Sequence, residues 1–171
     1  MNDLLTFKRN AMMLGLCGPY KDKWDEATSK ESLMDIALDS NGVEMLADAA
    51  SFCWGMDIQY MKRTFSDYIN GKWKRCKDGY SSCLYVDYNG KIEQECTITT
   101  VLSSKIEFNV PKGNVCKLYV GAESTVSITG EGVCYVYSYG HNKVTGKFKS
   151  MNCVTKSEWV KKRKDENKEQ V

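Results

Sequence analysis

Two hydrophobic rhythms divide the chain. Up to residue 71 the apolar positions recur at helical spacing, and from 79 to 154 they alternate as in a strand. In the first part, Leu4, Leu5, Phe7, Ala11, Met12 and Leu14 form one helical side behind an Asp3 cap, and Gly15 and then Gly18-Pro19 end it. Thr28 and Glu31 have capping-box spacing and predict a second helix over 29–39. Ser40-Asn41-Gly42 breaks that helix. Val43, Leu46, Ala47, Ala50, Cys53 and Trp54 trace a third, which Gly55 stops. Asp57 caps a fourth, with Ile58, Met61, Phe65, Tyr68 and Ile69 inward. Asn70-Gly71 closes it in the left-handed conformation these residues tolerate. Residues 72–78, KWKRCKD, read as a solvated basic join, with Trp73 and Cys76 tucked against the strands beyond it.

The alternating part contains an internal repeat. Leu84-Tyr85-Val86 returns as Leu118-Tyr119-Val120 and as Val136-Tyr137-Ser138, and Thr100-Val101-Leu102 fits the same grid. Eight residues after each first member stand Ile92, Phe108, Val126 and Val144. The rungs begin at 84, 100, 118 and 136, and turn residues fall in register between them. A step of 16 to 18 residues suits one coil of a β-solenoid, which buries its face only by stacking on the next coil. The predicted fold is therefore α+β: a helical subdomain (1–71) capping a short β-solenoid of about four coils (79–154), joined by 72–78. An antiparallel sandwich or meander is the alternative. Strand parity points Cys116, Leu118, Val120, Val126, Ile128, Cys134, Val136 and Val144 inward, with Lys117, Tyr119, Tyr135 and Tyr137 outward. Residues 155–171 form a polar helix or tail, in which Thr155 and Glu158 repeat the capping-box spacing.

Composition narrows the chemistry. In 171 residues, 24 Lys and Arg stand against 22 Asp and Glu, a balance that does not suit a dedicated polyanion binder. No apolar run reaches bilayer-spanning length, and the N-terminus lacks the pattern of a secretory leader, so a cytoplasmic protein without membrane contact is expected. The eight cysteines show no C-x-x-C spacing and read as reduced, buried, small apolar side chains rather than a zinc or disulfide framework. No phosphate-binding loop, dinucleotide glycine fingerprint or nucleophile elbow occurs. The single histidine, His141, falls in a predicted turn, and Glu93 and Glu95 read as a solvated strand face. No catalytic set, metal site or cofactor is expected, and the chain reads as non-enzymatic.

Two features point to binding. Tyr85, Tyr119, Tyr135, Tyr137 and Tyr139 form an outward stripe along the coils, and tyrosine offers rigid contact area with a polar tip at low entropic cost. The same stripe could instead support the sheet or pack against the helices. Residues 43–69 also have the skeleton of a helix-turn-helix, which would offer Gln59, Lys62, Arg63 and Thr64 to a DNA groove. Residues 1–78 carry 11 Lys and Arg against 12 Asp and Glu, so the basic footprint of such a site is missing.

The stretch that opens at Asp35, DIALDSNGVEMLADAASFCWGMDIQYMKRTFSDYINGKW, resembles a group of small uncharacterised proteins from gut-bacterial phages and mobile elements. They share an ALDSNG-like break, a WGM-like turn and a YINGKW-like ending before a β-rich half. The resemblance implies an accessory protein that binds a host protein, a defence factor among the targets. It carries no catalytic residues with it. A protein-binding module is thus the leading expectation, with a nucleic-acid binder and a homo-oligomeric structural module as alternatives.

Overall fold

The computed structural model describes residues 4, 5, 8, 18–52 and 57–153. Most of the first expected helix, Cys17, Cys53, the turn at Trp54-Gly55-Met56 and the tail beyond Cys153 lie outside them. The described residues hold four α-helices, α1 (Gly18–Glu26), α2 (Lys30–Ala37), α3 (Gly42–Ser51) and α4 (Ile58–Thr64), and a 3-10 turn at Ser66–Tyr68. After them come ten strands: β1 (Arg75–Lys77), β2 (Tyr80–Val86), β3 (Asn89–Glu93), β4 (Ile98–Leu102), β5 (Lys105–Asn109), β6 (Val115–Gly121), β7 (Thr125–Thr129), β8 (Val133–Ser138), β9 (Lys143–Gly146) and β10 (Lys149–Met151). None of the described helices is long and apolar enough to cross a membrane.

The strands wind as a β-solenoid of about four coils. One sheet has the order β1-β2-β4-β6-β8-β10 and the other β3-β5-β7-β9. Every pairing from β2 onward is parallel, which excludes the antiparallel sandwich. Only β1 joins antiparallel, covering the edge of β2. The helices lie on the outer face of the six-stranded sheet, so the molecule has three layers. Its β4 is buried at all five positions, with the helices on one side and the four-stranded sheet on the other.

The register departs from the predicted grid at one step. Leu84 pairs with Thr100, and Leu118 with Val136, as the repeat requires. Thr100, however, pairs with Tyr119, and Leu118 with Thr99. The cause is the turn between coils two and three. Residues 110–116 separate Asn109 from Lys117, whereas residues 94–97 separate their partners Glu93 and Ile98. The difference is odd, and an odd slip exchanges the two faces of a strand. Leu84, Val86, Ile98 and Leu102 therefore join the helical core together with Tyr119, while Leu118, Val120, Val136 and Val101 fill the solenoid lumen. The expected column of Leu84, Leu118 and Val136 does not exist, although all three are buried. In the four-stranded sheet the slip is two residues, Phe108 pairing with Ile128, so the inward face is kept.

Side chains tie the turns of successive coils together. The Ser104 hydroxyl accepts from Tyr88 N–H at 3.0 Å, the Ser124 hydroxyl accepts from Ser104 N–H at 3.1 Å, and Asn142 Oδ1 accepts from Ser124 N–H at 2.9 Å. Each satisfies a backbone donor that the strand ladder leaves unpaired at a corner.

The helices form largely as the pattern predicts. Asp57 caps α4, its side chain accepting from Tyr60 N–H at 2.9 Å. For α2 the cap is Ser29 with Ser32, one residue later than the expected Thr28 and Glu31. Asp39 Oδ1 accepts from the N–H groups of Asn41 and Gly42 and so starts α3. A side chain at Gly42 would meet the carbonyls of Ile36 and Ala37, so this break demands glycine. Gly18-Pro19 begins helix α1 rather than only ending a segment, consistent with proline's preference for a first helical turn. Asn70 and Gly71 adopt positive φ, as expected.

The basic join is not a solvated linker. It forms β1, and Arg75 is buried where that strand meets α2. Its guanidinium donates to Tyr80 Oη at 2.6 Å, lies over the Tyr80 ring, and pairs with Asp35 at 3.3 Å and Asp78 at 3.1 Å. Trp73 packs edge-on against Tyr68, while Cys76 is exposed instead of tucked.

Candidate functional site

The slip decides the fate of the tyrosine stripe. Tyr85 shares its column with Val101 and Val120 and packs against the lumen cluster, on the opposite face from Tyr119 and Tyr137. Tyr119 and Tyr139 point away from the lumen but are covered by the helical layer, with 1% and 2% of their surface exposed. They are core residues and offer no contact area to a partner in this structure. Tyr137 stacks on Tyr119 with ring centroids 4.6 Å apart and planes 8° from parallel, and is half-buried. Tyr135, one position beyond the helices, is half-exposed.

Past the edge of the helical layer none of the described elements covers the outer face of β6, β8 and β10. Val115 pairs with Val133, Lys117 with Tyr135, Tyr135 with Lys149, and Tyr137 with Met151. Strand parity puts all of these side chains on one face. Among the described residues the exposed large hydrophobics are Leu5, Val115, Val133 and Met151, so three of four belong to this strip. Together with Tyr135 and Tyr137 they make a contiguous apolar patch. Lysines rim it, Lys149 Nζ standing 5.3 Å from the Tyr135 ring centroid. Val115 and Val133 were available to sequence reasoning: they recur at the 18-residue step and share the outward parity of Tyr135.

The helix-turn-helix candidates do not assemble into a groove-reading surface. Thr64 is buried at 4% exposure. Lys62 Nζ is held 2.6 Å from Asp87 Oδ2, in the turn after β2. Arg63 lies over the Tyr60 ring, and Gln59 is exposed. The helix has seven residues and packs on β2. Two exposed side chains on so short a helix give neither the reach nor the charge that DNA binding needs.

A cavity of about 280 Å³ opens at the mouth of the first coil, lined among others by Trp73, Lys74, Cys83, Tyr85, Glu95 and Cys96. Nothing in the sequence spacing announces it. Cys83 reaches it from β2 and Cys96 from the turn at 94–97. Glu93 and Glu95, exposed as expected, stand at its rim. His141 is exposed in its turn. No family model matches the chain, and no curated protein or solved structure matches it.

Burial leaves an electrostatic signature. Desolvation is the largest cause that pushes the Tyr20 and Tyr85 phenols up to about 12, Tyr20 also hydrogen-bonding to Asp39, and it raises Tyr119 and Tyr139 further. A raised phenol favours the folded state while protonated. That stability is complete below the unfolded value near 10 and is lost as pH climbs through the folded values. The urea midpoint is therefore expected to hold to about pH 10 and to fall steeply by about pH 12. Tyrosinate absorbance should rise together with unfolding. A midpoint unchanged across that window would refute the assignment of these phenols to the interior.

Proposed function

We propose that this is a cytoplasmic, non-enzymatic protein-binding module, and that the uncovered strip of β6, β8 and β10 is its docking surface. The observation that supports this reading is the patch itself: Val115, Val133, Tyr135, Tyr137 and Met151 side by side on one rigid sheet face, beside a helical layer that covers the rest of that face. Contiguous exposed apolar surface rimmed by polar groups marks interaction sites more often than chance placement does. Lys117 and Lys149 fit a partner whose apolar anchor is flanked by carboxylates. In line with the resemblance to accessory proteins of phages and mobile elements, the partner is a host protein, and a defence factor inhibited by occlusion is the reading we favour.

Tyr135→Ala is expected to weaken capture of that partner by about tenfold or more, ~1.4 kcal/mol, while leaving the melting temperature within about 1 °C. A photo-crosslinking residue placed at Tyr135 should yield one adduct in host extract, competed by the unmodified chain but not by Tyr135→Ala. The same probe at Ser127, exposed on the other sheet, should not. Identical adducts from both positions would reject the patch. Adducts only between copies of this chain would replace the host partner with self-association, and adducts abolished by nuclease would favour a nucleic-acid ligand.

A further inference from the structure

The cavity at the first coil is lined by two thiols. Cys83 on β2 points into the lumen, and Cys96 lies in the turn that leaves the same coil. The Cys83 sulfur lies 3.7 Å from the Thr99 hydroxyl. The neighbouring Cys83 thiol is the largest cause that favours negative charge on Cys96. The Ser81 hydroxyl and the Lys74 ammonium also favour negative charge on Cys96. These groups outweigh desolvation and bring the Cys96 thiol down to about 7, while Cys83 is pushed up and keeps its proton. A thiolate at neutral pH is the nucleophilic form of cysteine.

The molecule contains its own control. Cys116 and Cys134 are paired across β6 and β8, and each thiol shifts the other, Cys116 down and Cys134 up. They are sealed in the lumen cluster with 2% and 1% exposure and line no part of the cavity. Neighbouring thiols are common to both pairs; among the described residues the cavity belongs to the first.

We propose that Cys96 is a site of covalent modification by hydrogen peroxide, with Cys83 as the thiol that resolves the product into a disulfide. The Cys96 thiolate attacks one peroxide oxygen and the O–O bond breaks. The departing hydroxide takes up the proton that Cys96 lost on ionising and leaves as water. Cys96 is then a sulfenic acid. The Cys83 sulfur attacks the Cys96 sulfur, an S–S bond forms, the S–O bond breaks, and the hydroxide leaves with the Cys83 proton as a second water. Two thiols are oxidised by two electrons and the peroxide is reduced to two waters. Cys83 and Cys96 expose 8% and 2% of their surface, so hydrogen peroxide reaches them from the cavity and a bulky disulfide such as oxidised glutathione does not. The cross-link would tie β2 to the turn that closes its own coil, below Trp73 and Lys74. This site is separate from the β6–β8–β10 patch and stands or falls independently of it.

The test is peptide mapping of the reduced full chain after brief treatment with hydrogen peroxide at neutral pH. The expected product is a peptide pair linked through Cys83 and Cys96, lighter by two hydrogen atoms, with Cys116 and Cys134 still reduced. In Cys83→Ser the sulfenic acid should persist on Cys96 and be trapped by dimedone. In Cys96→Ser neither cross-link nor adduct should form at Cys83. The rate should rise with pH through about 7. The proposal is overturned if Cys96 stays a free thiol while exposed Cys76 oxidises. It is equally overturned if the Cys116–Cys134 pair oxidises as fast as the pair at the cavity, or if oxidised glutathione forms the cross-link as readily as peroxide.

Discussion

Phe108→Ala is expected to destabilise the protein by about 3–5 kcal/mol, the range for deleting a fully buried aromatic ring. Phe108 has no exposed surface and lies in the lumen between the two sheets. Its column neighbours are Ile92 in β3 and Ile128 in β7, both inward. Those strands are fixed by parallel pairing on both sides, so the walls cannot close on the space the ring leaves, and the cavity term adds to the lost transfer energy. A loss of this size is a large part of the 5–15 kcal/mol that separates folded from unfolded for domains of this kind, about which the urea midpoint is a direct reporter. Phe108→Leu, which keeps most of the volume, should cost under about 1.5 kcal/mol. If Phe108→Ala moved the midpoint no further than a surface substitution, the lumen would not be a packed core.

Arg75→Ala should cost about 2–3 kcal/mol, somewhat less than the roughly 3–5 kcal/mol for breaking a fully buried ion pair. The Arg75 side chain is 7% exposed, and removing it strips Tyr80 Oη of a donor and Asp35 of a buried partner. The discount arises because Asp35 is 23% exposed and keeps Lys77, at 2.7 Å. Asp78, 72% exposed, adds little. Arg75→Lys should recover only part of the loss, since one ammonium cannot reach Tyr80, Asp35 and Asp78 as a planar guanidinium does. Tyr80 Oη also accepts from Ser40 N–H at 2.8 Å, so the cluster fastens the α2–α3 turn to the first strand of the solenoid. A midpoint unchanged by Arg75→Ala would show that the helical layer docks without it.

That cluster also marks where sequence reading ended. A run of four cations in seven residues looks like solvated charge, and only the fold shows that Arg75 alternates inward on β1 while Lys74 and Lys77 stay exposed. The solenoid itself was legible, because stacking forces like residues to recur at a fixed step and the turns to recur with them. The faces of the six-stranded sheet were legible in coils three and four and inverted in coils one and two. The physical reason is that the six-stranded sheet is buried on both sides. Leu84-Tyr85-Val86 and Leu118-Tyr119-Val120 are apolar at every position, so parity holds no information about which side is which. An odd-length difference between two turns then exchanged the faces unseen. The tyrosines of the stripe accordingly fall on different surfaces. Tyr135 and Tyr137 stand on the uncovered strip, Tyr119 and Tyr139 lie beneath the helices, and Tyr85 turns toward the lumen.

The register slip is the claim on which both the patch and the core depend, and methyl-resolved nuclear Overhauser spectroscopy measures it directly. Leu84 methyls should show contacts to helical-layer residues such as Met61 and none to Phe108, while Leu118 methyls should show contacts within the lumen cluster and none to the helices. Amide contacts across the sheet should join Thr100 to Tyr119. Leu84 and Leu118 methyls both contacting Phe108, with Thr100 beside Leu118, would restore the even repeat and contradict the account.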